Sequence, residues 1–384
     1  MPPEHLPIPA SLKRRWGVAV AAGLVAVVWG VLILAGTLPP GKAIGWGLGA
    51  ALALTYVLGY TRRHLHLNRP PDATAIAPTL GAANVLTLGR GIATALLGGF
   101  LLLLRPAGWL AWAPGSLFLV VAVTDFLDGY LARRTRRVTL LGERLDLAFD
   151  ALGMLIAVVL VVQYGQAPGW FLLVGLAYYL FVAMLAWRRL RGLAVHPLPP
   201  SDHRRLLAGF LYGFVAVILF PVFMPPATVL AAYLFGMPVL AGFGRDALVT
   251  TGVLDANAEA YRRGHARARR VLLSWMPLAL RAAAPFVAAA WLYGFAGAAP
   301  GWGVVVAGFA CALLTGFVIW GYAGRLAALG LLALACLDLL LRGFNLTNAC
   351  LLVLTITLLL TGTGSFSRWQ PEDVFLLKRR GGDG

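Results

Sequence analysis

Twelve long apolar runs, separated by short polar connectors, dominate this sequence of 384 residues. A helix that spans a bilayer needs roughly 20 mostly apolar residues, and shorter runs span when polar flanks reach the interface. The composition is 60% hydrophobic and 12% charged, whereas soluble domains average about 45–50% apolar and about 25% charged residues. This excludes an ordinary soluble enzyme and a disordered chain. We therefore predict an all-α, polytopic integral membrane protein with about twelve transmembrane helices.

The breakers Pro39-Pro40, Pro106 and Pro300-Gly301 lie between these runs, as expected for connectors. The predicted spans are approximately 16–37, 43–60, 89–104, 109–127, 146–163, 169–187, 206–223, 226–243, 271–295, 302–324, 326–341 and 346–363.

The formal net charge of +17 comes from 32 Lys and Arg residues against 15 Asp and Glu residues. On a soluble protein this excess would suggest nucleic-acid binding. Here the cations form short clusters between apolar runs, and threading twelve spans places nearly all clusters on one side, which is the positive-inside pattern. We therefore expect no nucleic-acid partner. We predict a multi-pass protein of the inner (plasma) membrane with both ends and the functional site on the cytoplasmic side.

Composition divides the chain into three predicted segments. Residues 1–70 form an N-terminal two-helix membrane segment, which ends in a polar, Pro-containing linker. Residues 78–250 form a six-helix catalytic bundle. Residues 251–384 hold a basic linker and a C-terminal four-helix membrane segment. In that last segment Arg281 and Asp338 lie inside apolar runs, where ionisable residues are rare, and they are candidates to pair with each other.

Acidic residues are scarce, yet four aspartates lie close together in the sequence. Asp125 and Asp128 are three residues apart, and Asp146 and Asp150 are four apart, so each pair projects from one face of its helix. Both pairs lie at the cytoplasmic ends of successive spans, where they can converge. Two carboxylates 4 Å apart repel by about 4 kcal/mol at an effective dielectric constant of 20, so a cation must lie among them.

Two kinds of cation fit these carboxylates. Divalent ions with oxygen ligands are the favoured choice, because Mg²⁺ binds through a few carboxylates plus substrate phosphates. The alternative is a set of salt bridges to nearby arginines, namely Arg133, Arg134, Arg136, Arg137 and Arg144. Small residues near the carboxylates, Gly129, Ala132 and Gly142, favour a bound ligand, since they let it approach the backbone. Arg133 offers a planar guanidinium suited to phosphate.

The order of these residues resembles the signature of the CDP-alcohol phosphotransferase (CDP-alcohol phosphatidyltransferase) family. All eight fixed positions of that signature are present in this sequence: Asp125, Asp128, Gly129, Ala132, Arg133, Gly142, Asp146 and Asp150. The segment from Asn84 through Thr87 to Arg90 also resembles the pattern that opens the family's first membrane helix. The resemblance covers about residues 78–250.

The resemblance implies a role for each matching residue. Two divalent ions, Mg²⁺ or Mn²⁺, would be held by Asp125, Asp128, Asp146 and Asp150, and Asp150 would also take the acceptor proton. The nucleotide would be bound by Gly129, Ala132, Arg133, Gly142, Asn84 and Thr87. The implied reaction in phospholipid biosynthesis transfers a phosphatidyl group from CDP-diacylglycerol to a polar alcohol such as glycerol phosphate or inositol phosphate, with release of CMP. The family also suggests a homodimer within the membrane lipids.

The acceptor is less well defined by the residues. Arg204 and Arg245 lie on the predicted cytoplasmic side and are candidates to bind a phosphorylated acceptor, although positive-inside anchoring explains them equally well. A CDP-choline or CDP-ethanolamine donor with a lipid alcohol acceptor stays open within the enzyme class. Outside it, a transporter would use the acidic cluster to couple to cations.

Overall fold

The computed structural model describes residues 7–135, 138–198, 202–255, 258–297, 301–364, 366–369 and 371, with the backbone alone for residues 128–135 and 202. These residues contain thirteen α-helices and no β-strand beyond one isolated bridge between Tyr322 and Trp369. The helices are α1 (Ala10–Ala35), α2 (Pro40–His64), α3 (Ala82–Gly98), α4 (Ala113–Thr135), α5 (Leu140–Gln163), α6 (Leu172–Leu190), α7 (Asp202–Ile218), α8 (Ala227–Thr250), α9 (Glu259–Arg270), α10 (Met276–Ala296), α11 (Gly301–Trp320), α12 (Gly324–Arg342) and α13 (Leu346–Thr361).

The predicted all-α, multi-pass membrane fold is confirmed. Within the described residues, ten helical segments are long and apolar enough to cross a membrane. One of them is a continuous segment, Glu259–Ala296, in which a π-helical turn at Val271–Trp275 joins α9 to α10. The two remaining predicted spans correspond to α7 and α13, which have only 17 and 16 residues. The structure thus has a helix for each of the twelve predicted spans.

The described chain divides into two compact units. Unit 1 runs up to Tyr178 and includes Val215–Pro221, whereas unit 2 comprises Tyr179–Phe214 and the described residues from Val222 onward. The chain crosses from one unit to the other three times: within α6, within α7 and after Pro221. The three-segment division drawn from composition stays a prediction.

Unit 1 is built around α3, which packs against α1, α2, α4 and α5. Small residues let the backbones approach, as is common between membrane helices. At Gly49 in α2, an added Cβ would lie 3.0 Å from the carbonyl oxygen of Gly98. At Gly98 in α3, it would lie 2.9 Å from the Cβ of Ala53. Close contact between α2 and α3 therefore depends on these glycines.

In unit 2, the suggested pairing of Arg281 with Asp338 is wrong. Arg281 donates hydrogen bonds to the carbonyl oxygens of Ile319 and Thr363, near the ends of α11 and α13. Asp338, which is fully buried, instead accepts from Trp291 Nε1 at 3.1 Å and from Arg342 Nη2 at 2.7 Å. Arg281 binds carbonyl oxygens because carbonyls at helix ends attract cations. Asp338 pairs with Arg342 because the two residues lie one turn apart on α12.

We expect Gly91→Ala to destabilise unit 1. A Cβ at Gly91 would lie 2.7 Å from Val57 Cγ1 and 2.8 Å from Phe149 Cε2, so α2 or α5 must shift, at a cost of about 1–3 kcal/mol. Gly89→Ala is the matched control, since nothing lies within 4 Å of its added Cβ. The thermal unfolding midpoint of purified protein should fall for Gly91→Ala only. Equal midpoints for the two variants would contradict the tight packing.

Candidate active site

The first turn of α5 sets the position of two carboxylates. Thr139 caps this helix, because its Oγ1 accepts a hydrogen bond of 3.0 Å from the backbone N–H of Gly142. Helix α5 therefore begins at Leu140, six residues before the predicted span. Asp146 and Asp150 lie one turn apart well inside it, and both side chains point to the same side of α5.

Helix α4 carries the other pair of aspartates. Asp125 lies within α4, and its carboxylate faces those of α5. Four predicted site residues lie outside the described side chains: Asp128, Gly129, Ala132 and Arg133.

Arg90 of α3 lies among the three described carboxylates. Its Nη1 forms an ion pair with Asp125 and donates to Asp150 at 2.7 Å, and its Nη2 donates to Asp146 at 2.6 Å. The Arg90 side chain is fully buried, while the three carboxylates are 38–49% exposed. The guanidinium thus contacts the carboxylates from the protein interior, and their other side is open.

The carboxylates suit a metal ion. One oxygen from each of Asp125, Asp146 and Asp150 lies within 4.8 Å of the others, so the three can ligate one cation. Carboxylate oxygens are the ligands that Mg²⁺ and Mn²⁺ prefer. The four described side chains of this group, three carboxylates and one guanidinium, carry a net charge of −2, which favours binding of a divalent cation.

Asn84 and Thr87 lie on the same side of α3 as Arg90, at spacings of three residues, and both are buried. The Nδ2 of Asn84 donates to Thr139 Oγ1 at 3.1 Å, while Thr87 Oγ1 donates to the carbonyl of Ala83 at 3.0 Å. At Gly142 an added Cβ would lie 2.7 Å from Asn84 Oδ1. The glycine therefore makes room for Asn84 beside the first turn of α5.

Arg204 and Arg245 lie in unit 2, around the buried carboxylate of Asp246. Arg204 Nη1 forms an ion pair with Asp246 Oδ2, and Arg245 Nη1 lies 3.4 Å from Asp246 Oδ1. Arg245 Nε also donates to the hydroxyl of Tyr261 at 2.7 Å. These three described side chains, two guanidiniums and one carboxylate, carry a net charge of +1.

Neither Arg90 nor Thr139 was predicted from the sequence to be a site residue. For Arg90 a signal was available, since an ionisable residue near the start of an apolar run is a functional candidate by default. Thr139 had the weaker signal of a capping residue just before a helix.

Comparison with known proteins identifies the part of the chain that contains this site. The family model described as CDP-alcohol phosphatidyltransferase matches residues 80–252. This segment is a CDP-alcohol phosphatidyltransferase domain. The recognition from the sequence signature is therefore confirmed. Arg90 and the three carboxylates all lie in this phosphatidyltransferase domain.

Curated relatives match a part of this chain. A CDP-diacylglycerol–glycerol-3-phosphate 3-phosphatidyltransferase of Cereibacter sphaeroides is 37% identical over 91 residues, 23% of this chain and 40% of that protein. The enzyme of the same name from Pseudomonas fluorescens is 46% identical over 63 residues, 16% of this chain and 32% of that protein. A cardiolipin synthase (CMP-forming) of Oryza sativa subsp. japonica is 39% identical over 92 residues, 24% and 26% of the two chains.

These matches span less than half the length of each relative. No solved structure matches the chain.

We predict that Arg90→Gln destabilises the metal-free protein and increases its stabilisation by Mg²⁺. Removal of one partner of a buried ion pair costs about 3–5 kcal/mol, and we expect about 2 kcal/mol here because the carboxylates are partly exposed. The measurement is the thermal unfolding midpoint with EDTA and with millimolar MgCl₂. As the control, Arg263→Gln, whose exposed ion pair with Glu259 lies elsewhere, should change neither midpoint. An Arg90 variant as stable as the parent would contradict this electrostatic role.

Proposed function

We propose that this protein transfers the phosphatidyl group of CDP-diacylglycerol to the hydroxyl of glycerol 3-phosphate and releases CMP. The observation that carries the proposal is the convergence of Asp125, Asp146 and Asp150 within a phosphatidyltransferase domain. The proposed acceptor follows from the activity for which the bacterial relatives are named. Inositol phosphate and other polar alcohols are the competing acceptors, and the assay distinguishes them by the lipid that forms.

In the proposed reaction the acceptor oxygen bonds to the phosphorus that carries diacylglycerol. The bond from that phosphorus to the CMP oxygen breaks, and the hydroxyl proton passes to the carboxylate of Asp150. Arg90 holds Asp150 through Nη1 and Asp146 through Nη2, which keeps the two carboxylates in fixed positions. Because the Asp150 side chain is 38% exposed, a bound acceptor can reach it.

The proposed metal ligands are Asp125, Asp146 and Asp150, together with Asp128, which lies outside the described side chains. A set of four carboxylates supports the proposal of two ions, Mg²⁺ or Mn²⁺. When bound, divalent cations neutralise the diphosphate and stabilise the leaving CMP oxygen. Arg133 and Gly129 stay proposed ligands of the nucleotide.

A lipid-linked donor fits the surroundings of the carboxylates. Phe126 follows Asp125 and is 60% exposed, and Leu147 follows Asp146 and is 52% exposed. Exposed apolar side chains beside a charged site suit a substrate with acyl chains and a nucleotide headgroup. We propose that the site opens toward the cytoplasm, because the basic clusters are concentrated on that side of the predicted topology.

Replacing any one of the metal-binding carboxylates should abolish the reaction. We expect Asp125→Asn, Asp146→Asn and Asp150→Asn each to slow CMP release about 100-fold or more, since each change removes a ligand or the proton acceptor. The assay uses purified protein, CDP-diacylglycerol and a panel of polar alcohols and their phosphates, with identification of the lipid product. Glu259→Gln, an exposed acidic residue of α9, should retain full activity. Full activity in Asp125→Asn or Asp146→Asn would refute the metal assignment.

Arg204 and Arg245 remain the proposed acceptor-phosphate ligands. The net charge of +1 carried by the two guanidiniums and Asp246 supports this role, and the arginine side chains are 34% and 28% exposed. We expect Arg204→Ala to raise the KM for glycerol 3-phosphate about tenfold with little change in kcat, because a binding contact is lost rather than a contact made only in the transition state. Arg263→Ala serves as the control. An unchanged KM would assign Arg204 to membrane anchoring.

A further inference from the structure

The linker of residues 65–81 joins α2 to α3 and contains one fully buried polar residue, Asn68. The Nδ2 of Asn68 donates to the carbonyl oxygens of Ala77 at 3.0 Å and Thr79 at 3.1 Å. The backbone N–H of Ala77 donates in return to the carbonyl of Asn68 at 2.7 Å. Asn68 therefore closes the linker into a fixed loop. It lies twelve residues before the segment that matches the family model.

A chain of hydrogen bonds leads from Asn68 to the first turn of α5. Asn68 Oδ1 accepts from Asn84 Nδ2 at 3.1 Å, and that Nδ2 also donates to Thr139 Oγ1 at 3.1 Å. Thr139 Oγ1 in turn accepts the N–H of Gly142 at 3.0 Å. A second connection runs through the backbone, because the N–H of Leu140 donates to the carbonyl of Arg69 at 3.0 Å. The linker thus contacts α5 where that helix begins.

The same helix is fixed by apolar packing against the N-terminal helices. Leu141, Leu145 and Phe149 recur every four residues along α5 and are fully buried. They belong to one core cluster with Leu12 of α1 and Val57 of α2. Asp146 follows Leu145 directly, and Asp150 follows Phe149. The buried face therefore sets the rotation of α5, and with it the direction in which the two carboxylates point.

We infer that Asn68 is a positioning residue for the carboxylates of α5, so that the N-terminal segment helps to position the active site although it lies outside the matched domain. This inference deepens the proposed function and rests on it. Asn68 forms no hydrogen bond with the three described carboxylates. It acts through Asn84 and Thr139 on the start of α5, and a shift there displaces Asp146 and Asp150 relative to Asp125.

The test compares Asn68→Ala, Thr139→Val and the double variant in the full-length protein, with Mn²⁺ alone as the probe. Electron paramagnetic resonance titration measures Mn²⁺ affinity without any need for turnover. We expect each single variant to weaken Mn²⁺ binding about three- to tenfold, less than the roughly 10–100-fold loss found for direct partners of metal ligands. The double variant should weaken Mn²⁺ binding by a factor smaller than the product of the two single factors, because both changes break the same chain of hydrogen bonds. Thr139→Ser keeps the hydroxyl and should bind like the parent.

Asn348→Ala is the matched control for loss of a buried amide. Asn348 is fully buried, donates to the carbonyl of Gly343 at 2.8 Å and helps cap α13 in unit 2. It should lower the thermal unfolding midpoint and leave Mn²⁺ affinity unchanged. Parental Mn²⁺ affinity in both Asn68→Ala and Thr139→Val would overturn the inference. Losses that multiply independently in the double variant would also overturn it.

The kinetic constants separate this inference from the proposed function. In an active parent protein, Asn68→Ala should lower kcat with little change in the KM for glycerol 3-phosphate, as expected for misplaced carboxylates. A parent protein that binds Mn²⁺ but releases no CMP refutes the proposed function, while the titrations above still decide the role of Asn68. A parent that does not bind Mn²⁺ refutes both the metal assignment and the inference.

Discussion

The ion pairs of Arg90 with three carboxylates are the interaction on which the rest of unit 1 depends. Like charges brought together at the edge of a membrane repel strongly unless a cation lies among them. Arg90 supplies one positive charge from inside the protein and contacts Asp125, Asp146 and Asp150 at once. Because these groups belong to α3, α4 and α5, the ion pairs require three helices to be held at fixed distances and rotations.

The packing of α3 meets this requirement through small residues on its buried faces. Gly91 lies against Phe149 of α5, and Gly98 lies against Ala53 of α2, with no space for a side chain at either place. Close backbone approach is the usual means of association between membrane helices, since the lipid provides no hydrophobic force that drives them together. The glycine contacts therefore hold the helices at the distances that the ion pairs of Arg90 require.

Local spacing was enough to predict the helices and the shared face of each aspartate pair, because both follow from hydropathy and from the helical repeat. The start of α5 was predicted too late, at 146. Glu143, Arg144 and Asp146 interrupt the apolar run, whereas the Thr139 cap begins the helix at Leu140. The carboxylate partners of Arg90 lie 35, 56 and 60 residues away along the chain. No periodicity identifies such pairs, and the same reason explains why Asn68 and Thr139 were missed and why Arg281 was paired incorrectly.

The distribution of exposure across the site indicates where a ligand would approach. Arg90 is fully buried, so its charge acts only from the interior side. The carboxylates are partly exposed on the opposite side, and the four described side chains together carry a net charge of −2. A cluster whose charge was fully neutralised by its own side chains would attract a cation less strongly. Without Arg90 the carboxylates would repel one another more strongly in the metal-free protein. A single buried guanidinium therefore holds the carboxylates together and leaves them the charge needed to bind a divalent ion.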